Sequence, residues 1–179
     1  HQQVDGPSHA ENRPVTPERV VIVGASHAGA QLVASLRQEG WTGEIVLIGD
    51  ESALPYQRPP LSKAYLAGKC APGELAIRTA EFYTKQNIEL VDATVQAIDR
   101  SASRVALSTG DSLSYDKLAL CTGARPRRLC IPGAELAGVH YLRTAADVEM
   151  IREATSPGSR AVIVGGGYIG LETAASLRA

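Results

Sequence analysis

Short aliphatic runs alternate with glycine-bearing turns along this chain, and their spacing predicts its elements. Val20-Val21-Ile22-Val23 is an unbroken apolar run, the mark of a strand buried on both faces. It leads into Gly24-Ala25-Ser26-His27-Ala28-Gly29 and then a helical stretch, Ala30 to Glu39, with Leu32, Val33 and Leu36 on one side. Gly40 sits where a helix C-terminal glycine belongs. A second run, Ile45-Val46-Leu47-Ile48, ends at Gly49-Asp50-Glu51. Strand, helix and strand within about thirty residues make a βαβ unit. The same grammar returns at Ala161-Val162-Ile163-Val164, followed by Gly165-Gly166-Gly167-Tyr168-Ile169-Gly170 and a helix start, Leu171 to Ala175.

Between these units lie three distinct stretches. Pro55, Pro59 and Pro60 force an extended path through Leu54-Pro55-Tyr56-Gln57-Arg58-Pro59-Pro60, and a short helix is predicted to start at Ser62-Lys63. Residues 88–121 read as short strands, Ile88–Val91, Val95–Asp99, Arg104–Leu107 and Leu118–Cys121, with a turn at Gly110-Asp111. They predict an antiparallel meander covering one face of the parallel sheet. Cys121-Thr122-Gly123-Ala124-Arg125-Pro126-Arg127 ends an apolar strand in a small-residue turn carrying arginines.

Composition narrows the function classes. With 44% hydrophobic and 21% charged residues, the chain can build a core. A net charge of −1 argues against a footprint for nucleic acid, and no apolar run is long enough to span a membrane. Cysteines 70, 121 and 130 have neither metal-ligand spacing nor an even count, so reduced thiols in a cytoplasmic setting are expected. Residues 1–18 are polar and carry no apolar stretch of signal-peptide type, and His1 and His9 there have no companion ligands nearby.

The glycine turns carry the candidate chemistry. A tight glycine turn lets backbone approach a pyrophosphate, and the helix N-terminus behind it offers free N–H groups and a favourable dipole. Asp50 follows Gly29 at about the 20-residue spacing expected of a ribose acceptor, with Glu51 next to it. The first loop reads G-x-S-x-x-G, with Ser26 at the second glycine position; the second, at Gly165, Gly167 and Gly170, is a complete G-x-G-x-x-G. Two such loops suggest two nucleotides brought together, and hydride transfer between a nicotinamide and a flavin is the chemistry expected.

The order GASHAG, PYQRPPLSK, CTGARPR and GGGYIGLE resembles the flavin-dependent ferredoxin reductases over residues 19–179. The resemblance implies an α/β fold: a Rossmann-like FAD-binding βαβ sheet with an antiparallel meander, and the start of a second Rossmann-like, NAD(P)-binding unit. It divides the chain into a polar tail (1–18), an FAD-binding segment (19–137), a connector with a helix (138–158) and the start of an NAD(P)-binding domain (159–179). By that resemblance Gly24, Ser26, Ala28 and Gly29 take the FAD pyrophosphate and Asp50 the adenosine ribose. Arg58 and Lys63 match the flavin-contacting cations, Val95 lies beside the adenine, and Thr122, Gly123 and Arg127 form a second FAD-contacting turn. Gly165, Gly167, Tyr168, Ile169 and Gly170 match the loop for NAD(P)H.

Glu172 matches an acid paired with Lys63 near the flavin, and these two are the candidate catalytic residues. A cation there would stabilise negative charge on reduced flavin, and a carboxylate would hold it in place. The implied output is reduction of a small [2Fe–2S] ferredoxin by NADH or NADPH. A reductase with another acceptor, of apoptosis-inducing-factor or nitrite-reductase type, and a non-catalytic cofactor-binding fragment are the alternatives. No C-x-x-x-x-C pair follows the first unit, so thiol–disulfide relay is not expected, and Cys121 reads as a buried strand residue. The chain ends inside the second unit's first helix, which suggests part of a longer enzyme that would retain FAD poorly and not turn over alone.

Overall fold

In the computed structural model, residues 17–178 are described, so His1 and His9 lie outside them. Strand β1 (Arg19–Val23) runs into helix α1 (His27–Gln38), which returns to β2 (Glu44–Gly49). A 3-10 turn (Pro59–Ser62), a second at Pro72–Leu75 and the short α2 (Ala80–Lys85) precede β3 (Ile88–Asp92). Strands β4 (Val95–Asp99), β5 (Arg104–Leu107) and β6 (Ser112–Ser114) follow, then β7 (Lys117–Leu120). Helices α3 (Ala145–Ala154) and α4 (Tyr168–Arg178) close the order.

The parallel sheet has the order β3-β2-β1-β7, and β4-β5-β6 form a separate antiparallel sheet. Val21 stands between Val46 and Leu118 in register. Alternate residues face opposite ways in a strand, and both faces here are covered. Ile22, Ile45 and Leu47 pack with Val33 of α1 and Tyr83 of α2, while Val21, Val46 and Ile48 pack with Ala93, Val105 and Leu107. That double burial is why the β1 and β2 runs are uninterrupted. Gly40, at φ +86°, closes α1 with N–H bonds to the Arg37 carbonyl and, from Trp41, to that of Leu36, the left-handed ending its position predicted.

A third cluster sits apart from the sheet. Tyr56, Leu61, Tyr65, Leu66 and Leu75 pack with Val148 and Ile151 of α3, and Leu177 of α4 leans against them. The proline-rich segment is therefore a small core in its own right and holds both later helices.

Four expectations from the sequence change. Ile88–Val91 belongs to β3, which pairs parallel with β2, and Leu118 belongs to β7, parallel to β1, so neither is part of the meander. The meander's third strand is instead β6, whose Ser112-Leu113-Ser114 has one apolar residue and gives no aliphatic signal. The helix expected from Ser62 is a 3-10 turn ending there, because Pro59 and Pro60 occupy its first positions and supply no N–H. Finally, Ala161–Val164 forms no strand: no neighbouring strand among the described residues offers it a ladder, and Val162 and Val164 are exposed.

Candidate functional site

The carboxyl ends of β1, β2 and β7 open onto one cavity of about 1060 Å³. From β1 the chain moves outward through β2 to β3 on one side, and β7 returns on the other. Crevices at such a reversal of strand order are where open α/β sheets take ligands.

The glycine loop forms the cavity's inner wall. Gly24 has φ +113°, and a Cβ there would stand 2.1 Å from the Cys121 carbonyl oxygen. Only glycine lets the β1 turn pass this close to the end of β7. Gly29 lies one turn inside α1, where a Cβ would meet the Gly24 carbonyl oxygen at 2.1 Å and Leu47 Cδ1 at 2.9 Å. It does not line the cavity; its part is to let helix and turn touch. Ser26 is the N-cap residue of α1, but its side chain makes no capping bond. Its Oγ instead accepts from Arg58 Nε at 3.3 Å.

Arg58 belongs to a continuous network. Its Nη2 lies 2.5 Å from Glu51 Oε1, and its Nη1 donates to the Tyr56 hydroxyl at 2.8 Å and to the Arg143 carbonyl at 2.9 Å. The Tyr56 hydroxyl donates to Glu51 Oε2 and accepts from the Ala145 N–H at 2.9 Å. Burial first, and the bond to Glu51 second, push the Tyr56 hydroxyl up to about 12. Glu51 is thereby committed to Arg58 and Tyr56. Asp50, exposed on the cavity wall and without a bonded partner among the described residues, is the acid free for a ligand hydroxyl.

The structure gathers Gly24, Ser26, Ala28, Asp50, Arg58, Val95, Thr122 and Gly123 around the cavity. Arg127 is outside its lining, and Cys121, expected as a buried strand residue, stands just past β7 on the wall, its thiol pushed up by burial. Sequence reasoning missed His27, Arg128, Tyr141, Arg143 and Thr144, all on the wall. One signal for the last of these was present. Thr144 and Asp147 form a capping box on α3, with Thr144 Oγ1 accepting from the Asp147 N–H and Asp147 Oδ2 from that of Thr144.

Charge on the wall favours an anion. Glu51 neutralises Arg58 and Asp147 caps α3, which leaves Arg125 and Arg143 without a carboxylate partner among the described residues, and Arg128 stacked on Tyr141. Close-packed glycines, a helix N-terminus, free guanidinium groups and an unpaired acid at the end of β2 are a donor set that suits a phosphate-bearing ligand with hydroxyl groups.

Lys63 and Glu172 lie outside the cavity lining and meet each other. Lys63 Nζ is 2.8 Å from Glu172 Oε2, and Ser62 Oγ donates to the same oxygen at 2.6 Å. These bonds, Lys63 first, hold the Glu172 carboxyl below its usual range. The second glycine loop has the same local form as the first. Gly165 is at φ +109°, and a Cβ on Gly170 would meet the Gly165 carbonyl oxygen at 2.3 Å. Tyr168 and Ile169 beside it are exposed, and the loop is not part of the lining of the cavity at the first loop.

No group of three or more metal-ligating side chains occurs among the described residues, and the three cysteines are free thiols. No helix among the described residues is long and apolar enough to cross a membrane.

Known proteins are similar to this chain in sequence and fold. The chain is 51% identical over 161 residues to a probable ferredoxin reductase, CtmF, of Castellaniella defragrans, covering 89% of this chain and 39% of that one. A ferredoxin reductase from Rhodopseudomonas palustris superposes with a TM-score of 0.86 at 45% identity, over 90% of this chain and 40% of that one. Putidaredoxin reductase in its covalent complex with putidaredoxin gives a TM-score of 0.84 at 45% identity, with the same two coverages. The chain thus spans about two fifths of the length of these relatives. The family model for pyridine nucleotide-disulphide oxidoreductases matches residues 18–179, and the chain belongs to that family.

Proposed function

We propose that this chain carries the FAD-binding portion of an NAD(P)H-dependent ferredoxin reductase. The observation that carries the reading is the Gly24 turn, pressed against the end of β7 and opening onto a cavity with free cations and a free acid. When bound, FAD would supply the hydride-accepting and electron-releasing chemistry. The chain's residues bind and orient it. N–H groups at the start of α1 and the Ser26 hydroxyl would hold the pyrophosphate, Asp50 would accept from the adenosine ribose, and Val95 would lie on the adenine side. Thr122 and Gly123 approach it from β7, with Arg127 beyond them. Lys63, held by Glu172, would offer positive charge to stabilise reduced flavin. The loop Gly165, Gly167, Tyr168, Ile169 and Gly170 receives the pyrophosphate of NADH or NADPH. The similarity to reductases of ferredoxin-type partners supports a [2Fe–2S] ferredoxin as acceptor. The absence of a C-x-x-x-x-C pair supports direct transfer from flavin to acceptor.

The test begins with the intact protein mixed with FAD and freed of excess. A retained flavin absorbance band is expected, and its absence would sink the flavoprotein reading. Anaerobic NADH or NADPH should then bleach the band, and bleaching by neither removes the reductase assignment. Reoxidation by an added [2Fe–2S] ferredoxin tests the acceptor.

A further inference from the structure

We propose that Ser62 is a positioning residue for the Lys63 ammonium, acting through the Glu172 carboxylate; this rests on the flavoenzyme reading above. Ser62 is 5% exposed, so its hydroxyl is carried on a buried residue. A buried hydroxyl is expected to have a defined partner, and this one points across an element boundary. Its Oγ donates to Glu172 Oε2 at 2.6 Å, and its carbonyl oxygen accepts from Ser176 Oγ at 2.8 Å. Both partners lie on α4, one turn apart, so a single residue bonds the helix of the second nucleotide loop to the proline-rich segment twice.

The ion pair alone would be a poor clamp. The Lys63 side chain is 52% exposed and that of Glu172 31%, and long side chains in water hold such pairs loosely. Ser62 changes that in a specific way. A serine has few rotamers, and this one is buried with its hydroxyl bonded to Glu172. Its hydroxyl and the Lys63 ammonium converge on the same carboxylate oxygen, which sets the carboxylate plane about its last torsion. Lys63 is tied back to its own turn through the Pro59 carbonyl at 3.4 Å. The ammonium therefore sits between a carbonyl of the proline turn and a carboxylate whose direction Ser62 determines. Lys63 is the only charged group paired with Glu172 among the described residues, so loss of the Ser62 donor falls on that pair alone.

The experiment replaces Ser62 with Ala, which removes one oxygen, and with Cys, a weaker donor of similar size. In the intact protein, carboxyl-carbon NMR follows the titration of Glu172, and stopped-flow absorbance follows reduction of bound FAD by NADH against pH. Ser62→Ala should move the Glu172 midpoint upward and carry the acid limb of the reduction profile with it. The rate should fall roughly tenfold, as for loss of one charge-assisted hydrogen bond. Ser62→Cys should fall between wild type and Ser62→Ala in both readouts. An unmoved Glu172 midpoint in both variants overturns the proposal. So does a moved midpoint with an unchanged rate profile, since the bond would then not reach the flavin. A wild-type protein that takes up no FAD sinks the flavoenzyme reading instead, and the Glu172 titration then decides the Ser62 bond by itself.

Discussion

The two glycine loops share a local form and differ in everything around it. Each opens with a glycine at positive φ, +113° at Gly24 and +109° at Gly165. Each has a helix glycine whose Cβ would collide with the opening glycine's carbonyl oxygen. The first loop is preceded by a strand paired on both sides and pressed against the end of β7, and its Ser26 is bonded to Arg58. The second follows a segment with no strand partner among the described residues, and nothing there lies within 4 Å of a Cβ placed on Gly165. Turn geometry is thus set by glycine spacing within a few residues, whereas a strand exists only where a neighbour supplies the other half of its ladder.

The largest test of that contrast substitutes the opening glycines. Gly24→Ala puts a methyl group into the Cys121 carbonyl as well as straining φ, and should cost about 3 kcal/mol or more. Gly165→Ala meets only the φ strain, about 1 kcal/mol. Urea unfolding of the two variants should separate them clearly, with FAD retention lost in the first alone. Equal losses would show that the surroundings of the first loop contribute nothing.

The same contrast explains what could be read without coordinates. The βαβ unit, its glycine loop and Asp50 were legible because their signals are local: an aliphatic run, a glycine triplet, an acid at the end of the next strand. The pair Lys63–Glu172 was reached by resemblance, and the structure places the two groups in contact. Ala161–Val164 looked identical to Val20–Val23, since an apolar run records a capacity for burial and not the partner that realises it. Parallel pairing of β3 and β7 was missed for a related reason. Short strands in series suggest hairpins, and which of them join a distant sheet depends on contacts far apart in sequence. Arg143, Tyr141 and the commitment of Glu51 to Arg58 and Tyr56 depend on side chains meeting across the fold.

A second test makes the first loop more like the second. Arg58→Leu removes the guanidinium that bonds Glu51, Tyr56, Ser26 and the Arg143 carbonyl, leaving the carboxylate of Glu51 with Tyr56 alone. The side chains of Arg58 and Glu51 are 20% and 29% exposed, so solvent recovers part of the loss, and a cost of about 2 kcal/mol is expected. FAD should exchange faster from this variant while the Gly24 turn persists. An unfolding midpoint equal to that of wild type would mean that the network is ornamental to the loop.

Acid provides the smallest effect and separates the loops in the opposite sense. The Glu172 carboxyl is held below its usual range by Lys63 and then by Ser62. A depressed carboxyl contributes stability that is present above its unfolded pKa and lost as pH falls through the folded value. The anchored helix is α4, behind the second loop, whereas α1 has no acidic group in its first turn to lose. Hydrogen exchange at falling pH should therefore show α4 amides losing protection, after correction for intrinsic rates, while α1 amides keep theirs. In Glu172→Gln the acid-dependent step in α4 should vanish, because the amide does not titrate. If α1 and α4 lose protection together, or the step survives in Glu172→Gln, the second helix is held by packing of Leu177 and not by its carboxylate.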